Sequence, residues 1–427
     1  MVHEPPCRRS GGLTVVSSDY RPPVTDQSPG RVLVYREEFL QPSETFIRDH
    51  LVDMPRYSVA AMANELLPRR LEVPGVPVHL TRARGPVAKA VQYGGYRLGA
   101  PKAKMVEIVT RATLRRLKPD LVHAHFGPDA AYIATATTAE RVPLVATFHG
   151  FDLTKSAEAL RGQRVAYDVY LDMGPALYPR LAAIITVSDF LRRELVARGV
   201  DADDIDVIPC GVDTSSIAWT PARPDGPVLF VGRLTAKKGV ADLIRAIGLM
   251  PEPPPLVVIG DGPLRTELET LAAALRLAID FRGVQDSEEV AGAIREASVV
   301  AMPSRRAPTG DAEGLGVVAL EAQAAGRPVV GYAHGGLSEA VLDGETGRLV
   351  REGDVKALAA ALEQVRSRPD LLADFAGAGR RHVERNFERS MLLGRVADVY
   401  DRALDQHRRS SSPVRRYQGP TGDRDAA

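Results

Sequence analysis

The stretch 228-VLFVGRLTAKKGVADLIRAIGLM-250 decides the fold. Four apolar residues run into Gly232, a short turn carries Arg233 and Lys238, and apolar positions then recur at helical spacing. A buried strand, a glycine turn and an amphipathic helix, in that order, make half of a parallel crossover unit. The same unit recurs on both sides. Downstream, 255-PLVVIGDG, 279-IDFRG, 298-SVVAMPS and 328-PVVGYA read as strands, with helices predicted over 239–250, 262–277, 286–297 and 315–325. Upstream, 31-RVLVY, 57-YSVAAMA, 120-DLVHAHF, 143-PLVATFHG and 183-AIITVS read as strands, with helices over 101–118 and 187–198. This alternation predicts an α/β protein with two doubly wound, Rossmann-like domains. The segment 211-GVDTSSIAWTPARPDGP-227, dense in Pro, Gly and Ser, reads as the linker between them. The expected division is a first domain over 31–208 and a second over 209–385, with a loose extension at 1–30 and a loose tail at 408–427. Open sheets of this kind take ligands beyond the carboxyl ends of their strands, so the chemistry is expected where the two domains face each other.

Composition narrows the function. The 427 residues are 44% apolar and 26% charged, as in an ordinary two-domain enzyme. A net charge of +1 argues against a nucleic-acid binder driven by bulk positive charge. Two cysteines, Cys7 and Cys210, make neither a disulfide framework nor a four-cysteine zinc site. No stretch approaches the ~18 apolar residues of a membrane span, and the first residues lack the apolar core of a signal peptide, so a cytoplasmic protein is expected. Charge is uneven: residues 31–200 carry 24 Lys and Arg against 17 Asp and Glu, whereas residues 210–400 carry 22 against 26. A basic run in the first domain (Arg97, Lys102, Lys104, Arg111, Arg115, Arg116 and Lys118) reads either as a solvated helix face or as a patch for the anionic inner face of the plasma membrane.

Two motifs carry chemistry. Arg233 and Lys238, beside Gly232 at a strand-to-helix junction, suit a diphosphate, because helix amides and fixed cations both favour an anion there. A purely structural turn is the plainer alternative. In 313-EGLGVVALE, Glu313 sits before a helix and Glu321 inside it, within an apolar stretch where a carboxylate needs a partner such as ribose hydroxyls. Gly314 and Gly316, flanking Leu315, let backbone amides approach a ligand closely. His123 and His125 alternate on a strand and share a face, but no third ligand follows at a suitable spacing, so no metal is expected. The segment 260-GDGPLR lacks the third glycine of a dinucleotide fingerprint.

The order of VIPCGVD (207–213), VGRLTAKKG (231–239), IGDGPLR (259–265), FRGV (281–284) and EGLGVVALEAQAAGRPVV (313–330) resembles the family-four retaining glycosyltransferases of the GT-B fold. The elements 42-PSETFI, 121-LVHAHFG and 147-TFHGFD resemble the branch that builds colanic acid and other exopolysaccharides. The likeness spans roughly residues 31–405. It implies a hexosyltransferase in which Arg233 and Lys238, in the Gly232 turn, hold a nucleotide-diphosphate sugar, with UDP first and GDP next. Glu321 would bind ribose. Glu313, with the amides of Gly314, Leu315 and Gly316, would hold the sugar, and His149 would sit near the anomeric centre. Ser43, Glu44 and Thr45 would form a loop closing over donor or acceptor, with His125 on the acceptor side. No metal or resident cofactor is implied, and the acceptor would be a lipid-linked oligosaccharide or a small molecule. A final helix, 386–407, would return to the first domain. Cys210 departs from the asparagine usual in the I-P-N-G-V-D element. Arg305 and Arg306 beside the donor site read as exposed or as readers of an acidic sugar. A sugar-nucleotide 2-epimerase and a non-catalytic sugar-nucleotide binder share the scaffold and remain as alternatives.

Overall fold

The computed structural model describes residues 30–81 and 102–411. Cys7, Arg97 and the expected loose ends at 1–29 and 412–427 lie outside them. Two parallel sheets are present. The first has seven strands: β1 (Arg31–Phe39), β2 (Ser58–Leu66), β3 (Val78–Leu80), β4 (Leu121–His125), β5 (Leu144–Phe148), β6 (Ala183–Thr186) and β7 (Ile205–Val207), in the order β3-β2-β1-β4-β5-β6-β7. The second has six: β8 (Val228–Val231), β9 (Leu256–Ile259), β10 (Ile279–Gly283), β11 (Val299–Met302), β12 (Val329–Tyr332) and β13 (Gly347–Val350), in the order β10-β9-β8-β11-β12-β13. In each sheet the order reverses beside the first strand, which opens a crevice at the carboxyl ends. All ten strands read from the sequence are present. The three missed strands, β3, β7 and β13, are short and sit at sheet edges.

The helices follow the apolar spacing closely: 240–249, 265–274, 287–296 and 317–324 in the second domain, and 102–117 and 189–196 in the first. Other helices escaped the pattern, among them Thr45–Val52, Gly127–Ala139, Val165–Met173, Val355–Ser367 and Pro369–Asn386. Gly127–Ala139 is buried along nearly its whole length, so its Ala-rich sequence shows no polar face.

The chain crosses between domains twice, side by side. The Val212 amide donates to the Phe387 carbonyl at 2.9 Å, and the Arg389 amide donates to the Val212 carbonyl at 3.0 Å. A Cβ on Gly211 would stand 2.6 Å from the Arg389 Cα, so only glycine allows the two crossings to touch. Helix Pro369–Asn386 precedes the second crossing, and helix Arg389–Ser411 follows it. The latter buries Leu392, Leu393, Val396, Tyr400 and Leu404 in one cluster with Val32, Val34, Leu121 and Val145 of the first sheet. That spacing is the apolar stripe of a docked helix. Ion pairs fix its register, Arg56 to Asp398 at 2.5 Å and to Asp401 at 2.9 Å. The helix runs to Ser411, so residues 408–411, expected in the loose tail, are helical instead. Among the described residues no helix is long and apolar enough to cross a membrane.

If this helix is part of the first domain's core, Leu392→Ala should cost about 2–5 kcal/mol in urea unfolding. Met391→Ala, at a 41% exposed neighbour, should stay within about 0.5 kcal/mol. Equal costs for the two would contradict the packing.

Candidate functional site

The cleft lies between the carboxyl ends of the two sheets. On the second-domain side the β8 turn and the β11 loop build one wall. Gly239 adopts φ +66°, and a Cβ there would stand 1.9 Å from the Pro303 carbonyl oxygen, so the cationic turn is clamped onto the end of β11. Lys238 Nζ then reaches Glu313 Oε2 at 2.5 Å, and Ser304 Oγ donates to the same oxygen at 3.3 Å. Burial alone would raise the Glu313 carboxyl, but the Lys238 and Lys237 ammoniums together with these hydrogen bonds bring it down to about 2. Lys237 pairs with Asp311 at 3.0 Å. Arg233 is different: it is exposed, borders the cleft, and has no ion-pair partner among the described residues. Gly232, Leu315 and Gly316 border the cleft as well. Gly316 takes φ +92° and starts helix Val317–Ala324, whose first turn no side chain caps. Gly316, Val317 and Val318, at the helix start where backbone amides lack intrahelical partners, border the cleft.

Gly314 is used within the protein. A Cβ on it would come to 2.0 Å from the His149 carbonyl oxygen, across the domain boundary. This contact brings Glu313 and His149 to one cleft. His149 rides on a loop after β5 that is held from behind by Asp152. That carboxylate accepts from the amides of Gly150 (2.8 Å), Gly127 (3.0 Å) and His149 itself (3.4 Å). The His149 ring lies between Phe46 and Phe126, with centroids at 4.5 and 4.8 Å. Its Nε2 stands 3.0 Å from His125 Nδ1. Burial, and then the neighbouring His50 and Arg36, hold His149 well below the usual imidazole range, so its ring is neutral.

Several expected residues sit elsewhere. His125 is fully buried behind His149 and does not border the cleft. Ser43 is exposed on the rim, whereas Thr45 opens a helix and does not border the cleft. Glu44 borders the cleft, but its carboxylate is taken by Arg36 at 2.6 Å and by the Gln41 amide at 3.0 Å. Arg36, a buried arginine bound also to Asp129 at 2.5 Å, fixes this wall and was not singled out from the sequence. Phe126, Phe151 and Tyr167, with Arg164, line the same side. The signal for Arg36 was available in 31-RVLVYREE, a strand that turns abruptly from apolar to charged. Glu321 does not border the main cleft. It is half-buried one turn into helix Val317–Ala324, near Asp49 of the first domain, and its carboxylate has no hydrogen bond from a described residue. Arg305 and Arg306 are exposed outside the cleft and paired, with Asp242 at 3.0 Å and Glu194 at 3.5 Å. Cys210 borders the cleft as a neutral thiol pushed up to about 12 by burial. Two Asp-x-Asp elements, Asp201–Asp203 and Asp204–Asp206, line a separate groove under the β6–β7 edge and share no residue with the cleft.

His123 and His125 do have a third histidine beside them. His50, from helix Thr45–Val52, has its ring centroid 4.8 Å from His125 and 5.5 Å from His123. A third imidazole therefore stands beside the two, although none follows them at a suitable spacing. The third ring comes from upstream in sequence, where spacing along the strand gives no sign of it.

Burial, then the Asp49 charge, raise the Glu321 carboxyl to about 7. The folded state therefore holds this proton more tightly than the unfolded chain, and ionisation weakens the fold as pH rises between about 4.5 and 7. Relative to the parent, Glu321→Gln should gain about 1–3 kcal/mol of stability on going from pH 4.5 to pH 8 in thermal unfolding. A difference that does not change with pH would contradict this environment.

Two family descriptions match the chain: Glycosyltransferase Family 4 over residues 60–216 and Glycosyl transferases group 1 over residues 220–382. The putative colanic acid biosynthesis glycosyltransferase WcaL of Escherichia coli (strain K12) is 31% identical over 297 residues, covering 66% of this chain and 70% of that one. The amylovoran biosynthesis glycosyltransferase AmsK of Erwinia amylovora is 27% identical, covering 81% of this chain and 87% of that one. In fold, the chain superposes on Anabaena Alr3699/HepE, a crystal structure in complex with UDP and glucose, with a TM-score of 0.69 at 20% identity, covering 87% of this chain and 99% of that one. Two parallel-sheet domains and a cleft between them make this the GT-B fold, and the chain belongs to the glycosyltransferases of family 4 and group 1.

Proposed function

We propose that the protein transfers a hexose, with retention of anomeric configuration, from a nucleotide-diphosphate sugar to a hydroxyl of a lipid-linked oligosaccharide or a small-molecule acceptor. UDP is the first candidate nucleotide and GDP the second. The observation that carries this is Arg233, without an ion-pair partner among the described residues, in one cleft with Lys238, His149 and an uncapped helix start at Gly316. In the reaction Arg233, Lys238 and the amides of residues 316–318 neutralise the departing diphosphate, as fixed charges and dipoles do without reorganisation. This is work that a divalent cation performs in other transferases, so none is required at the diphosphate. Glu313, ionised and held by Lys238, accepts hydrogen bonds from donor-sugar hydroxyls. Neutral His149 donates to the sugar near its anomeric carbon. The departing phosphate oxygen takes the acceptor's proton, so no protein carboxylate need attack. Glu321, outside the main cleft and near Asp49, is assigned to the ribose and meets it only if the domains close further.

We place the protein in the cytoplasm, in peripheral contact with the membrane when the acceptor is lipid-linked. The helix Lys102–Leu117 supports a modest contact. Arg111 and Arg115 share Glu140, each at 2.7 Å, and Lys104 pairs with Glu107 at 2.9 Å, which spends part of its positive charge. Ile108 stands 52% exposed on the same helix.

Thermal unfolding with UDP, GDP, ADP and buffer alone tests the donor assignment. One nucleotide at ~100 times its dissociation constant should stabilise the protein by about 2.7 kcal/mol, a rise of a few degrees. Arg233→Ala should cut the rise to about half or less, and no rise with any nucleotide would contradict the reading. With the matching sugar nucleotide, conversion in the absence of acceptor would instead indicate a 2-epimerase. Binding without any turnover would indicate a non-catalytic binder.

A further inference from the structure

We propose that His50, His123 and His125 form a binding site for one transition-metal ion of the zinc class, behind the cleft and apart from the diphosphate. One nitrogen from each of the three rings lies within 4.8 Å of the others. Two of the rings have an orphaned buried nitrogen: His50 Nδ1 and His125 Nε2 have no hydrogen-bond partner among the described residues. A buried ring nitrogen without a partner is costly, and two of them in one cluster call for a ligand that satisfies both.

The other ring atoms are arranged as the outer partners of metal-bound histidines are. His123 Nδ1 meets the Tyr400 hydroxyl at 2.6 Å, and His125 Nδ1 meets His149 Nε2 at 3.0 Å. With both Nδ1 atoms protonated and donating, each strand histidine presents a bare Nε2 lone pair. Anchoring the far nitrogen in this way fixes tautomer and ring orientation. His123 Nε2 accepts from Thr147 Oγ1 at 2.7 Å, a contact the ion would take over. His50 then offers Nδ1 from the facing helix. Two histidines one residue apart on a strand and a third from another element give a three-histidine set that leaves a fourth position open. A small cavity lined by Phe46, Asp49, His50, Thr147, His149 and Cys210 adjoins that position, with room for a water.

The ligand chemistry agrees with this class of ion. Imidazole ligands without carboxylates suit zinc, nickel or copper, and not magnesium or calcium. The ion would tie His125 in place, and through it the ring of His149. Its role is positioning, since none of the three histidines borders the cleft.

The test uses the full chain without a polyhistidine tag, stripped with chelator and dialysed against zinc chloride. Mass spectrometry should find about one zinc per chain, and cobalt substitution should give the visible absorption of a low-coordinate site. His50→Gln and His125→Gln should lose the ion, and Tyr400→Phe, which keeps the packing, should weaken affinity about 10–100-fold. His382→Gln, in the other domain, should change nothing. Less than about 0.1 zinc per parent chain, or retention of zinc in both ligand variants, would overturn the site and leave a plain stack of hydrogen-bonded histidines. Because the readout is metal content, failure here leaves the nucleotide assignment untouched.

Discussion

The architecture depends on one backbone contact, the approach of the His149 carbonyl to Gly314 across the domain boundary. Only a residue without a side chain fits, since a Cβ would stand 2.0 Å from that oxygen. The contact is the centre of a seam. The Ser156 amide donates to the Thr309 carbonyl at 2.8 Å, and the Ala312 amide donates to Thr154 Oγ1 at 3.1 Å. Glu339 accepts from the amides of Asp189 and Phe190, both at 2.8 Å. The paired crossings at 212 and 387–389 add a second set of backbone contacts where the chain passes between the domains. Glu313 and the His149 ring thereby share one cleft, which neither domain forms alone.

Within that cleft the charges are of two kinds. Lys238 and Lys237 are matched by Glu313 and Asp311, and Arg36 by Glu44 and Asp129, so these pairs shape the walls. Arg233 is exposed and unmatched among the described residues, and the start of helix Val317–Ala324, which no side chain caps, borders the same cleft. Desolvating a phosphate is tolerable only where such partners are already fixed. Paired cations position side chains, and the unpaired one is left for an anion.

The inner strands and the residues of their turns could be read from sequence because burial on both faces forces continuous apolar runs such as 228-VLFV and 299-VVAM. Edge strands β3, β7 and β13 lack that pressure and were missed. The helix Gly127–Ala139 was missed for the opposite reason, since burial on every side erases the 3.6-residue pattern. At the site, Arg233, Lys238, Glu313 and His149 were legible because each lies in a compact motif beside a strand end. Arg36 with Asp129, and His50 with His123 and His125, were not. Those partners are brought together only by the register of β1 against β4 and by the packing of helix Thr45–Val52, which single-chain spacing does not encode. Glu321 shows a further limit: helical geometry fixes its height along the helix but not which neighbour it faces, and it lies beside Asp49.

The central claim is that the cleft recognises a diphosphate through Arg233. Calorimetric titration of the parent and of Arg233→Met with UDP and with UMP tests it most directly, because the two nucleotides differ only by the second phosphate. The account predicts that the parent prefers UDP by about tenfold or more, close to 1.4 kcal/mol, and that Arg233→Met loses most of that preference while still binding UMP. Equal affinity of the parent for UDP and UMP, or an undiminished preference in Arg233→Met, would contradict it.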